Sequence, residues 1–193
     1  MFAGKKNMGA SPFLYPTPLV LCGTYDSSGR PNLATLAWAG VCCSEPPAVQ
    51  ISVRRERHTY ASLMEKKEFT VNIPSHSQAV QADFCGMTSG RSVDKFAAAG
   101  LTPLRGQYVD APIVDEFPFC LECRLIHTFK IGSHDMFIGE ILASWAREDC
   151  LGAGGSPDPF KISPIAFAGG MYCKISAPAL KAFDIGKSLM EKK

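Results

Sequence analysis

The sequence predicts a mainly β protein, a closed antiparallel barrel with short α-helices packed outside it. Three observations carry this expectation. Segments rich in Val, Ile, Thr and aromatic residues recur along the 193-residue chain, and turns containing Gly, Pro and Ser separate them. Helical periodicity is confined to three short stretches. Strands and helices never alternate in the manner of a parallel sheet, and there is no internal repeat or low-complexity segment.

The elements follow in order. "PLVLCGTYD", the turn "SSGRP" and "NLATLAWAGV" read as a hairpin, with Gly29 available for a positive φ. "PPAVQISV" enters the next strand after a double proline that rules out helix there. "TYASLMEKKE" predicts a helix with Thr59 as N-cap and Tyr60, Leu63 and Met64 at helical spacing. "EFTVNI" is a short strand. "SQAVQADFCG" and "SVDKFAAAG" predict short helices, each closed by its glycine. "FCLECRLIHTFKI", the turn "GSHD" and "MFIGEILASWARE" form a second, long hairpin, and "PIAFAGGMYCKI" is a late strand broken by two glycines. The Pro/Gly-rich "LGAGGSPDPF" is linker-like but too near the end to divide two domains, so residues 1–193 are expected to form one domain with a core over about 15–175.

Composition narrows the function classes. A 46% hydrophobic content supports a real core. Twenty basic against 18 acidic residues, net +2, argue against a general polyanion binder. "MFAGKKNMGASPFLYPTP" lacks the apolar region of a secretory signal, and no apolar run reaches membrane-spanning length; a soluble, cytoplasmic protein is expected. The eight cysteines are then expected to be reduced and to act as small apolar packing residues. Cys120 and Cys123 have CxxC spacing, but on a strand they point to opposite faces, and no second pair completes a zinc site. Cys42 and Cys43 also face opposite ways if their strand continues unbroken.

Two stretches suggest phosphate. "SVRRERHTY" sets Arg54, Arg55, Arg57 and His58 beside the helix start at Thr59, where free N–H groups and the helix dipole attract anions. "CGMTSGRSVDKF" adds Ser89, Gly90 and Ser92 as small, donor-rich backbone, with Lys95 one turn on. Each could equally be a solvated surface turn. Neither is a Walker loop or a Rossmann fingerprint, so a mononucleotide phosphate fits better than a dinucleotide. Asn72 is a ligand or a structural amide; His134 is a ligand, a candidate catalytic residue or a turn residue; His127 reads as inert. Ala34, Ala37 and Ala39 beside Trp38 suggest that something flat lies against that backbone. No nucleophile–base pair, carboxylate pair or metal cluster emerges, so the chemistry of an enzyme built this way would come from a cofactor.

Taken together, "PTPLVLCGTYDSSGRPNLATLAW", "SEPPAVQISVRRERHTY", "FTVNIPS", "CGMTSGRSVDKF" and "HDMFIGEI" resemble the flavin reductase-like family, especially its flavoredoxin branch, over roughly residues 15–175. The resemblance implies an FMN-binding split β-barrel, usually a homodimer with the flavin near the subunit interface. It implies a flavin ring along "NLATLAW" and carries Asn32, Thr35, Leu36, Ala37, Trp38, Ser52, Arg54, His58, Thr59, Asn72, Ser89, Gly90, Lys95, His134 and Phe167 onto the cofactor. Where relatives often have Gly-Asp-His, this chain has Gly132-Ser133-His134. Two activities are compatible with the resemblance. One is an NADH- or NADPH-dependent reductase passing electrons from FMN to a flavin, metal or protein acceptor; the other is a flavoredoxin-like carrier without nicotinamide oxidation.

Overall fold

The computed structural model describes residues 4–176, 178 and 180–190. Its strands are β1 (Thr17–Pro18), β2 (Val20–Tyr25), β3 (Pro31–Leu36), β4 (Ala39–Ser44), β5 (Pro47–Arg54), β6 (Glu68–Ile73), β7 (Pro103–Arg105), β8 (Pro112–Val114), β9 (Phe119–Lys130), β10 (His134–Ala146), β11 (Ile165–Ala168) and β12 (Met171–Lys174). The α-helices are α1 (His58–Lys66), α2 (Ala79–Met87), α3 (Lys95–Ala99) and α4 (Pro159–Ile162).

Seven strands pair antiparallel in the order β3-β2-β6-β9-β10-β5-β4. The two ends of that order, β3 and β4, are successive parts of one run of chain. This run bends at Ala37–Trp38, leaves β2 and joins β5, which closes the sheet into a barrel. The bend is tied down where Ser52 N donates to Trp38 O at 2.9 Å. Two small sheets, β1-β11-β12 and β7-β8, lie outside this order.

Strand β2 shows why the first hairpin forms. Val20 and Cys22 enter one buried cluster with Ile51, Phe69, Val71, Cys123 and Phe137. Leu21, on the opposite face, joins Leu33, Ala82, Cys85 and Phe96 under α2 and α3. A strand covered on both faces needs continuous apolar sequence, which "PLVLCG" supplies. Gly139 serves the first cluster: a Cβ there would fall 2.5 Å from the tip of the Phe69 ring.

Several expectations need correction. Helix α1 starts at His58 with Arg57 as N-cap and no side-chain cap; Thr59 lies inside the helix. Gly86 does not close α2, which runs on to Met87, because its lack of a Cβ leaves room for Thr35. "NLATLAWAGV" is two strands rather than one. "LGAGGSPDPF" is an ordered loop: Gly152 N donates to Ser156 O, and Asp158 caps α4 through Phe160 N. Five cysteines are buried, but Cys42 and Cys43 are exposed and cannot be packing residues.

One buried carboxylate, paired with the half-exposed Arg55 and with Tyr60 of α1, ties the barrel to that helix. The fully buried Asp135 accepts hydrogen bonds from Arg55 Nε (3.0 Å), Arg55 Nη2 (2.8 Å) and Tyr60 Oη (2.7 Å). Arg55 first, then Tyr60, hold the Asp135 carboxyl at about 2, below its ordinary 3.8. Because the folded value is depressed, this stabilisation is complete above the ordinary value and is lost as pH falls from about 4 towards 2. Urea midpoints measured from pH 5 to pH 2 should fall less steeply for Asp135→Asn than for the natural chain. Parallel slopes would remove Asp135 from the acid response.

Candidate functional site

Two clefts share the β3–β4 run. The polar cleft, about 300 Å³, is lined by Asn32, Thr35 and Leu36 of β3, Arg57, His58 and Thr59 at the start of α1, Gly86, and Ser89, Arg91 and Lys95 around the turn into α3. The aromatic cleft, about 640 Å³, begins at the next residue: Ala37, Trp38 and Ala39 line it with Phe13, Leu14, Tyr15, Gln50 and Phe167.

The polar cleft contains buried groups left without partners. Asn32 Nδ2 donates to Thr59 Oγ1 at 2.8 Å, but Asn32 Oδ1 is buried and unpaired. The Thr59 hydroxyl therefore acts as acceptor there and keeps its own proton to donate. His58 Nε2 is also buried without a hydrogen bond; Asp26 Oδ2 lies 3.5 Å away, an ion pair only when the ring is protonated. Burial pushes the Asp26 carboxyl up, but hydrogen bonds from Ser28 and Arg30 outweigh it and leave Asp26 far below the usual carboxylate range. Helix α1 begins without a side-chain cap; Tyr60 N turns back to Arg57 O at 3.1 Å, so the N–H groups of His58 and Thr59 are the ones open to an anion. Gly90 lets the opposite wall close in, since a Cβ there would lie 2.1 Å from Asn32 Oδ1.

Lys95 is the buried cation of this cleft, 4% exposed. Its Nζ donates to Leu33 O and to Cys85 O, each at 2.7 Å. Two of its three N–H groups are thus spent on backbone, and one remains. Burial lowers its pKa first; Cys85 opposes that shift and Arg57 adds to it.

The other residues carried over by resemblance are placed variously. Thr35 lines the polar cleft, but its hydroxyl donates to Ala82 O at 2.5 Å. Ser52 and Arg54 share the outward face of β5 with Gln50; Ser52 pairs in register with Met136, and Arg54 with His134. Arg54 is exposed and does not line the polar cleft, though it reaches Glu56 on that cleft's wall at 3.4 Å. His134, the first residue of β10, has its ring 4.3 Å from that of Trp38, with Nδ1 3.0 Å from Ser133 Oγ. Burial first, then Arg54, lower its pKa, so the ring is neutral at pH 7. Asn72 is corrected: it is fully buried in β6, its Nδ2 donates to Leu21 O and Thr70 Oγ1, and its Oδ1 accepts from Val114 N. With its amide spent, it holds β2 and β8 together and meets neither cleft.

Arg57, Arg91, Gln50 and the Phe13–Tyr15 segment line the clefts although the resemblance did not carry them. Arg57 had a signal in the basic run. Arg91 had one in "SGRSVDK", where its Nη1 donates to Glu56 O at 3.0 Å. Phe13, Leu14 and Tyr15 precede the regular structure, so no periodicity marks them.

Comparison with known proteins agrees with this architecture. The flavin reductase-like domain family matches residues 12–176. Flavoredoxin of Desulfovibrio vulgaris (Miyazaki F) superposes with a TM-score of 0.89 at 46% identity, over 94% of this chain and 99% of that one. Flavoredoxin from Methanosarcina acetivorans gives 0.91 at 31%, over 97% and 100%. A protein of Aeropyrum pernix is 30% identical over 158 residues; the match covers 81% of this chain but 59% of that relative, less than two thirds of its length. No helix among the described residues is long and apolar enough to cross a membrane. With a family match over most of its length and a mainly β, split-barrel architecture, this chain belongs to the flavin reductase-like domain family.

Proposed function

We propose that this protein binds FMN across the two clefts and passes electrons through it. The observation that carries the reading is the polar cleft itself: an uncapped helix start, three cations and two unpaired buried polar atoms adjoin a strand of small residues ending at Trp38. Such donors match a dianionic phosphate and ribityl hydroxyls, and they would hold a mononucleotide without a dinucleotide loop. Arg57, Lys95, Thr59 and the first N–H groups of α1 would take the phosphate. Asn32 Oδ1 would accept from a ribityl hydroxyl. Ala37 lets a flat ring approach the backbone, and Trp38 and Phe167 wall it from water. Bound FMN would supply two-electron and one-electron chemistry that no side chain here offers. His134, neutral at pH 7, can donate or accept one hydrogen bond beside Trp38.

The electron donor in this reading is NADH or NADPH, whose transferable hydride would need only positioning against the ring. The acceptor is a free flavin, a metal complex or a protein. The 46% identity to a flavoredoxin supports a second reading, a carrier with tightly held FMN and no nicotinamide oxidation. We also propose a homodimer. Ile126, Phe129 and Ile131, at the end of the long β9–β10 hairpin, are exposed apolar side chains that a second copy would cover.

Purified protein should be yellow, elute at the mass of two chains and release FMN rather than FAD on denaturation. Steady-state NADH and NADPH oxidation, with and without added flavin, separates the reductase from the carrier. Stoichiometric FAD, or failure of the apoprotein to take up FMN, would overturn the reading.

A further inference from the structure

We propose that Cys42 and Cys43 form a two-thiol site for trivalent arsenicals and chemically similar soft, thiophilic electrophiles. Both cysteines are exposed on β4, while Cys22, Cys85, Cys120, Cys123 and Cys150 are buried and Cys173 is half-buried. Strand β4 ends its sheet order, hydrogen-bonded to β5 alone, so one of its long sides carries no paired strand.

The local backbone sets this pair apart from ordinary neighbours on a strand. Val41 pairs with Val49 and Cys43 with Ala48, which leaves Cys42 as an extra residue. At such a bulge the strict alternation of faces is broken, and adjacent side chains are freed from pointing in opposite directions. Cys43 Sγ donates to Glu45 O at 3.3 Å, and burial followed by the neighbouring Cys43 raises the Cys42 pKa. Cys42 is therefore a thiol at neutral pH.

Spacing favours a bridged product over a direct disulfide. Adjacent Cα atoms lie about 3.8 Å apart, below the roughly 4.4–6.8 Å usual for a disulfide. A bridging atom lengthens the link and removes that restriction. With an arylarsine oxide, two As–S bonds form and the As=O bond breaks. Both thiol protons leave with the oxide oxygen as water. Arsenic stays trivalent, so no oxidant or reductant is consumed, and the reaction does not require a thiolate at the start.

The test is titration of the full-length protein with phenylarsine oxide, followed by intact mass and a count of reactive thiols under native conditions. One adduct per chain is expected, with two thiols lost, stable to excess monothiol and reversed by 2,3-dimercaptopropanol. Cys42→Ser and Cys43→Ser should each abolish the monothiol-resistant adduct, whereas Cys173→Ser should keep it. Flavin content, measured in the same samples, is expected to be unchanged, so the outcome is independent of the electron-transfer reading. Absence of an adduct, its persistence in Cys42→Ser or Cys43→Ser, or its mapping to a buried cysteine would overturn the proposal.

Discussion

Replacing Lys95 by Ala is expected to weaken FMN binding about tenfold to a hundredfold while leaving riboflavin, which lacks the phosphate, bound much as before. The estimate follows from a charge-assisted hydrogen bond, on the order of 1.5–3 kcal/mol. Burial makes the contact strong, because water cannot replace an ammonium that is only 4% exposed. Lys95 also has a structural duty. It satisfies Leu33 O and Cys85 O, joining β3 to α2, and its loss orphans both carbonyls. A stability loss of about 1–3 kcal/mol per orphaned group is therefore expected alongside the binding effect. The two roles are separable: misplacement of the site would weaken both flavins equally, but loss of a counter-charge affects only FMN. Trp38→Ala provides the reverse pattern, weakening both ligands through the ring they share. Titrating both variants with both flavins decides the matter. Equal effects of Lys95→Ala on FMN and riboflavin would make Lys95 purely a structural tether.

The main strands and the two hairpins were largely legible because most of the longer strands bury at least one apolar face, and β2 buries both. A closed barrel was expected, but the point of closure was not legible: it is the bend at Ala37–Trp38, where the chain passes from β2 to β5 without a break in composition. Short β1, β7 and β8, of two or three residues, have no measurable period. Thr59 illustrates how tertiary contacts override a local signal. Its side chain reads as a cap, but Asn32, 27 residues earlier, uses its hydroxyl as an acceptor, and the helix opens one residue before it. Asn72 fails in the opposite sense, since an amide in "TVNIP" gives no hint that Leu21, Thr70 and Val114 will satisfy it. Cys42 and Cys43 were expected to pack as small apolar residues on opposite faces of an unbroken strand, and their exposure differs for a third reason. A one-residue bulge removes the strict alternation on which that inference rested, and nothing in "GVCCSE" announces it.

Gly90→Ala is the smallest change expected to damage the polar cleft. The added Cβ would stand 2.1 Å from Asn32 Oδ1 and 2.8 Å from both Asn32 Cγ and His58 Cδ2, far inside contact distance. Asn32 cannot simply swing away, because it is 4% exposed and its Nδ2 is held by the Thr59 hydroxyl. Either that bond breaks and Asn32 is displaced, or the 89–92 turn moves off the cleft and carries Ser89 and Arg91 away from α1. Overpacking of this kind costs about 1–3 kcal/mol in stability. A comparable loss in FMN binding, roughly tenfold or more at 1.4 kcal/mol per decade, is expected because the displaced groups line the phosphate end. Gly132→Ala is the matched control: nothing lies within 4 Å of a Cβ there, and its stability and flavin content should be unchanged. Thermal unfolding and FMN titration of the two variants give the comparison. If Gly90→Ala melts and binds FMN like Gly132→Ala, the close approach of the 89–92 turn to Asn32 has no part in holding the cofactor.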